Sequence, residues 1–541
     1  MDKQKQKEQN RKYKANKGLF RNANTKSGFF KTYISGGLRA FVVLIMLLAQ
    51  FSIIIFLSIK AASYGVIIYY LTMLITGLIV IGLVNKNEIP SFKIGWLVVI
   101  TIIPFAGLFM YILWGSDRST KKIRARNFRY IEHSYKFIDN CDKELKELEN
   151  EDINKAKMAR YMVNNNFPLL KHNHVDYFSL GDEAFDAILE DLSNAEKFIF
   201  LDFFIVADGY LWQSMKKILL EKAKEGVEIK FLYDDYGSMF RTNKAFWKEL
   251  NDVGIETAEF NPITKYLDRL YLNFRSHQKI VVIDGKVGYT GGINLADEYV
   301  NQLQRFGKWK DNAVRIEGNG VYGLSLVFLA MWGLATKKNI EDYKKYKYSF
   351  TEDELSELEN NYVQIISDGP ENNPLNPISE IIRQMIYNAR DYLYITTPYL
   401  IPEEDMADAL ISAAQSGIDT RIVVPGIPDK KFVYLITKYN YGKLLKGGVR
   451  IYEYTPGFMH AKTYLTKDQG IVGTINLDYR SLYLHYECGA YLWDSSSVED
   501  AKQDLINTFE ESHEVTYEEW KKRPFIIKII QPIANLFSSL L

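Results

Sequence analysis

SHQKIVVIDGKVGYTGGIN, residues Ser276 to Asn294, and MHAKTYLTKDQGIVGTIN, residues Met459 to Asn476, are imperfect copies of one another. Each puts a His two residues before a Lys and closes on a Gly-containing turn that holds an Asn. On a strand, residues two apart project from one face, so His277 lies beside Lys279 and His460 beside Lys462. A buried lysine keeps its charge only if it is paired. No acid sits on that face of either strand, and an anion such as a phosphate supplies the partner. The copies therefore predict one site built from two similar halves, with paired histidines and paired lysines around a phosphate.

The turns fit the same ligand. Gly291, Gly292 and Asn294 in one copy, and Gly473, Thr474 and Asn476 in the other, offer backbone N–H groups, amides and a hydroxyl to phosphate oxygens without adding charge. Beyond each Asn an acid precedes a short apolar strand: Asp311 before NAVRIEG, and Glu487 before CGAYLWD. Carboxylates that reach Nδ1 of His277 and His460 leave each Nε2 facing the substrate and stabilise the imidazolium.

Working outward, each copy closes a repeated order of elements. In the first half a helical stretch, Asp182 to Asn194, precedes an apolar run, Lys197 to Val206, then a helix over Leu211 to Glu225 and a strand over Val227 to Tyr233. In the second half the order is Ile378 to Ala389, Asp391 to Thr397, Glu404 to Gln415 and Thr420 to Pro425. Strands alternating with helices predict α/β units with a largely parallel or mixed sheet covered on both faces. Two such halves in a pseudo-twofold arrangement occupy residues 167–350 and 373–541, with an acidic surface connector over 351–372.

Ahead of them lie three apolar runs, Leu38 to Ile59, Val66 to Val84 and Ile94 to Trp114, each of about 20 residues, enough to cross a bilayer as helix. The expected organisation is a basic tail over 1–37, transmembrane helices over 38–115 and a charged helical linker over 116–166. Residues 1–39 hold eleven Lys or Arg against Asp2 and Glu8, which keeps that end in the cytoplasm. Lys121, Lys122, Arg124, Arg126 and Arg129 argue the same side for the chain beyond the third run, and three full crossings would not allow it. Pro104 and Gly107 offer a resolution, because they make the third run a kinked or re-entrant segment.

The net charge of +1 over 541 residues gives no global reason to bind nucleic acid. Two cysteines, Cys141 and Cys488, are too few for a disulfide framework. The C-terminal KKRPFIIKIIQPIANLFSSLL joins a basic cluster to an apolar stretch, as an interfacial segment beside anionic headgroups does, although Pro532 interrupts it.

HQKIVVID with GGIN and HAKTYLT with GTIN resemble the phospholipase D superfamily, and so do the flanking FIFLDFFIVADG, LYDDYGS, YITTPYLIPEEDMADALISAA, RIVVPG and NLDYRS. Within it the chain is most similar to the bacterial cardiolipin synthases, over nearly its whole length. That resemblance implies a cell-membrane, multi-pass phosphatidyltransferase that uses phosphatidylglycerol from the lipid bilayer and forms a phosphohistidine. By the family pattern His277 is the nucleophile and His460 the acid and base. Lys279, Lys462, Asn294 and Asn476 stabilise the phosphoryl charge, and neither metal nor cofactor is required. The first copy meets the family's His-x-Lys-x-x-x-x-Asp through Asp284. The second has Lys467 there with Asp468 next, and its spacing from His to Gly is one residue shorter, as a remodelled hairpin turn would make it. A phospholipase D-type hydrolase, or a membrane scaffold with a decayed second motif, are the alternatives.

Overall fold

The computed structural model describes residues 45, 48–50, 52–53, 62–112, 117–262 and 274–540. They divide into two units, residues 1–119 with 239–243 and 264–270, and Thr120–Ser238 with Lys244–Ile263 and Tyr271–Leu541.

In the second unit the predicted elements appear within a few residues of their expected ends. Helix Gly181–Ser193 leads to β2 (Phe198–Phe203), helix Tyr210–Lys224 and β3 (Glu228–Asp234), preceded by β1 (Leu170–Phe178). After β4 (Glu256–Phe260) come β5 (Arg275–Ser276), the hairpin β6 (Lys279–Ile283) and β7 (Val287–Gly291), then β8 (Lys308–Lys310) and β9 (Ala313–Gly318). The second half repeats this as β10 (Glu359–Asp368), β11 (Tyr392–Thr396), β12 (Asp419–Pro425), β13 (Arg450–Tyr454), β14 (Gly457–Met459), the hairpin β15 (Thr463–Leu465) and β16 (Gln469–Gly473), β17 (His485–Trp493) and β18 (Ser512–Val515).

One mixed sheet runs β18-β13-β12-β11-β15-β16-β17-β10-β1-β9-β7-β6-β2-β3-β4. Setting aside the edge strand β18, the order reads the same from both ends about the β1/β10 pair, which is the strand-level signature of the expected pseudo-twofold. The sheet is covered on both faces. Ile199, Leu201 and Phe203 of β2 pack with Phe185, Ile188 and Met215 of the two flanking helices. Phe198 and Phe200 face the other way into a core with Leu324, Phe328 and Trp332. Those residues lie on helix Val321–Thr336, where Phe328 stacks on Phe200 at 4.6 Å between ring centroids. A helix apolar on every side is a buried one, and its position between sheet and neighbouring helices meets that requirement.

Two segments read as connecting chain carry more structure. The linker forms helices Asp117–Tyr135, Asp142–Glu151 and Ile153–Asn164, and it buries Leu145, Leu148 and Met158. Its charged exterior hid an apolar face at helical spacing. The connector is a short exposed helix, Glu352–Glu357, followed at once by β10, a ten-residue strand at the centre of the sheet.

The two hairpins differ as the spacing required. The first has the loop Asp284–Lys286, with Asp284 and Gly285 at φ of 55° and 70°. The second is closed by the Thr466 N–H donating to Gln469 O at 2.9 Å, leaving Lys467 and Asp468 as its loop. The Asp284 carboxylate accepts the N–H groups of Glu196, Lys197 and Phe198 at 2.7–2.8 Å, so it pins the hairpin to the start of β2. In the other half the charge is reversed: Lys467 pairs with Asp391, at the start of β11, at 2.9 Å. Asp468 instead meets Lys155 of the linker at 2.7 Å. Asp284→Ala removes three charge-assisted bonds at a partly exposed place and is expected to cost about 2–4 kcal/mol. A thermal melt measures that loss, while the turnover of the folded fraction should be unchanged; unchanged stability with lost turnover would make Asp284 a chemical residue.

In the first unit, helix Ala62–Val84 carries no charged residue, and Val66, Leu71, Leu74 and Leu78 are exposed on it. Among the described residues no helix is long and apolar enough to cross a membrane. The third apolar run is broken, as Pro104 and Gly107 led one to expect: helix Pro90–Ile102 ends at Ile103 and helix Pro104–Met110 folds back on it. A Cβ on Gly107 would stand 2.5 Å from the Val99 carbonyl oxygen, an approach only glycine allows. The basic tail and most of the first apolar run lie outside the described residues.

Candidate active site

His277 stands just ahead of β6, which opens on Lys279, and His460 and Lys462 stand in the extended chain just ahead of β15; all four side chains are buried. What joins the halves is a pair of short parallel contacts just ahead of those strands. β5 runs beside the start of β17, with Arg275 opposite His485 and Ser276 opposite Tyr486. β14 runs beside β8, with Phe458 opposite Trp309 and Met459 opposite Lys310. One residue further along each register stands a His with an acid: His277 opposite Glu487, and His460 opposite Asp311. Both predicted acids therefore reach Nδ1 of a histidine, and each serves the histidine of the other half. His277 Nδ1 lies 3.0 Å from Glu487 Oε2, and His460 Nδ1 lies 2.6 Å from Asp311 Oδ2. Asp311 is ionised and accepts, so the His460 Nδ1–H donates to it, with Lys462 Nζ crowding that nitrogen at 2.8 Å, and a His277 Nδ1–H donating to Glu487 likewise leaves Nε2 for chemistry.

The two pairs are electrically unequal. Burial works against the Asp311 charge, yet His460 and Lys462 beside it hold its carboxyl below the usual range. Burial pushes Glu487 up to about 8, against the pull of Lys279, Ser481 and Thr474. Three donors converge on Glu487: the His277 Nδ1–H, the Ser481 hydroxyl at 2.5 Å and the Thr474 hydroxyl. Such a set suits the anion, and it shares the charge away from His277. Burial, with Lys279 next, holds His277 well below its ordinary value, so this ring is neutral at pH 7. Burial and Lys462 lower His460 to about 4, opposed by Asp311. Burial also lowers Lys279 to about 8 and Lys462 to about 7. Each lysine donates to the carbonyl of the histidine two residues before it, Lys279 at 2.5 Å.

The turn residues divide in their roles. The Gly292 N–H donates to Asn312 O and the Thr474 N–H to Cys488 O, both at 2.9 Å, so these two groups are taken up within the sheet and are not turned to a phosphate as the sequence suggested. Gly292 instead makes room: a Cβ there would stand 1.9 Å from Asp311 Oδ1. In the second half Thr474 fills that space and bonds Glu487. Asn294 Oδ1 accepts the Ile205 N–H at 2.9 Å, whereas Asn476 Oδ1 is buried with no protein partner. Aromatic rings wall both histidines, Phe204 at 5.1 Å from His277, and Tyr299 and Trp309 at 5.3 and 5.2 Å from His460.

Sequence reasoning missed His485. It stands where the pseudo-twofold puts Trp309, two residues before the acid, with its ring centroid 5.3 Å from that of His277. Its parity with Glu487 on one strand is the same signal that singled out His277 and Lys279.

Comparison with known proteins agrees with this architecture. A family profile described as "Cardiolipin synthase, PLD-like domain" matches residues 188–316 and 382–512, and one described as "Phospholipase_D-nuclease N-terminal" matches 74–116. An uncharacterized protein of Streptococcus mutans is 40% identical over 85% of this chain and 99% of its own. A cardiolipin synthase of Alkalihalophilus pseudofirmus is 33% identical over 88% of this chain and 93% of its own, and the cardiolipin synthase 2 of Bacillus anthracis 34% over 84% and 88%. Among solved structures, phosphatidylserine synthase of Haemophilus influenzae superposes with a TM-score of 0.53 at 16% identity, over 71% of this chain and 100% of that one, a likeness of fold.

Proposed function

The chain belongs to the cardiolipin synthase family of phospholipase D-like proteins and is a phosphatidyltransferase, and we propose that it joins two phosphatidylglycerol molecules into cardiolipin through a phosphohistidine. His277 Nε2 attacks the phosphorus of the first lipid, the bond from phosphorus to the headgroup glycerol oxygen breaks, and His460 gives that oxygen a proton. His460 then takes the proton of a headgroup hydroxyl on the second lipid. That oxygen attacks phosphorus, the phosphorus–nitrogen bond breaks, and cardiolipin leaves with His277 restored. Lys279, Lys462, Asn294 and Asn476 balance the charge that gathers on the phosphoryl oxygens.

One observation carries the order of the two histidines: ionised Asp311, 2.6 Å from His460 Nδ1, opposes the burial that lowers that ring to about 4, whereas Glu487 is shared among three donors and does less to oppose the lowering of His277. A neutral ring is the nucleophile and a ring that can hold a proton is the acid. The phosphodiester brings a negative charge that offsets both lysines and raises the pKa of His460 toward that of a working acid.

A bilayer as the source of substrate is supported at two places. Helix Ala62–Val84 exposes Val66, Leu71, Leu74, Leu78 and Ile81. In the second unit, helix Phe525–Asn535 rests on Ala534 and Gln531 while Phe525 is 77% and Ile533 54% exposed, beside Lys521, Lys522 and Arg523. An apolar face flanked by cations suits an anionic lipid surface.

The reading is tested with the purified chain and phosphatidylglycerol alone. Cardiolipin and free glycerol are expected in equal amounts; phosphatidic acid without cardiolipin would replace the transferase by a hydrolase. The pH profile gives a second check. A lysine with a lowered pKa is charged below that value and loses its charge above it, so kcat/KM is expected to fall as pH rises through about 7 to 8. Bound lipid raises both lysines, so kcat should hold to higher pH. On the acid side His277 stays neutral to well below pH 6.5, and activity persists there. A kcat/KM that is flat over roughly pH 7 to 9 contradicts charged lysines at the phosphate.

A further inference from the structure

His485 has no part in the transfer reaction, yet it is built into the wall of the site. Its side chain is nine-tenths buried, its Nδ1 has no hydrogen-bond partner, and that nitrogen stands 3.5 Å from Glu487 Oε1. The other oxygen of the same carboxylate holds His277 Nδ1 at 3.0 Å. Two imidazoles thus face one carboxylate from its two sides. One ligand atom from each of His277, His485 and Glu487 lies within 4.8 Å of the others.

Three ligands on a tetrahedral zinc, with bonds of about 2.0–2.2 Å, stand roughly 3.4 Å apart, so modest side-chain rotations bring this set to coordinating distance. Two imidazoles with one carboxylate are a borderline donor set, suited to zinc and its neighbours and poorly suited to magnesium or calcium, which take oxygen ligands. The pseudo-twofold supplies an internal control. The equivalent place beside His460 holds Trp309, whose indole cannot ligate, so only one of the two histidines is exposed to capture.

We propose that His277, His485 and Glu487 form an inhibitory site for a divalent transition-metal ion of the zinc class. The ion takes Nδ1 of His277 in place of its proton and displaces the hydrogen bond to Glu487. With two positive charges on Nδ1, the ring loses nucleophilicity at Nε2 and its preset orientation. The inference goes beyond the transfer reaction, and its binding arm stands whether or not the chain makes cardiolipin.

The test is calorimetric titration of the full chain in detergent with zinc chloride, followed by cardiolipin assays across the same zinc range. One equivalent is expected to bind and to inhibit, with magnesium chloride doing neither. His485→Asn should weaken both binding and inhibition by at least about tenfold. Equal zinc affinity in the wild type and His485→Asn overturns the proposal, as does equal inhibition by magnesium. X-ray absorption of the zinc-loaded wild type needs no variant: two imidazole ligands support the site, and one or none refutes it.

Discussion

His277→Ala is expected to abolish cardiolipin formation, with a loss on the order of 10⁵- to 10⁶-fold, the scale set by removing the nucleophile of a unit that works together. His460→Asn should lose nearly as much, because the leaving glycerol oxygen then departs unprotonated and the acceptor hydroxyl keeps its proton. Combining the two should add little to either alone. Both rings are buried at the meeting of the halves, so thermal melts must accompany the rates. A folded single variant that keeps more than about a hundredth of wild-type turnover would remove that histidine from the mechanism.

The crossed carboxylates give the second large effect. Asp311→Asn and Glu487→Gln keep shape but lose the carboxyl that orients each ring, and each is expected to lower turnover by roughly 10³- to 10⁴-fold, as an orienting carboxylate does elsewhere. The two losses should differ in kind. Asp311 serves His460 at 2.6 Å, and Glu487 serves His277 at 3.0 Å. p-Nitrophenolate leaves a phosphodiester without needing a proton, so with such a substrate the first-turnover burst of p-nitrophenolate should be largely restored in Asp311→Asn and remain slow in Glu487→Gln, whereas the second step, which needs His460 as base, stays slow in Asp311→Asn. Restoration in Glu487→Gln instead would reverse the two roles.

Much of this was legible because strand parity is a strong constraint. The i, i+2 spacing placed each His beside its Lys, and the repeated helix–strand order placed both copies in α/β halves. The acids could be nominated but not paired. Their pairing depends on β5 against β17 and β14 against β8, contacts only two and three residues long that leave no periodic trace. β10 was hidden because its polar opening, Glu359 to Asn361, continues the acidic connector, although the residues after it are nearly all buried. Gly292 was read as a phosphate donor when its service is the absence of a side chain next to Asp311. The unequal hairpins were visible as a one-residue spacing change, and each turn is tied to the neighbouring strand by a different charge, Asp284 in the first and Lys467 in the second.

The central claim is that one histidine, His277, carries the phosphatidyl group. Rapid mixing with phosphatidylglycerol, quenching in base to preserve the phosphorus–nitrogen bond, and mass spectrometry of the peptides test it most directly. The account predicts a phosphatidyl adduct on the peptide that contains His277, its absence in His277→Ala, and its decay when a second phosphatidylglycerol is supplied. An adduct on the His460 peptide, or turnover with no adduct on either, would contradict it.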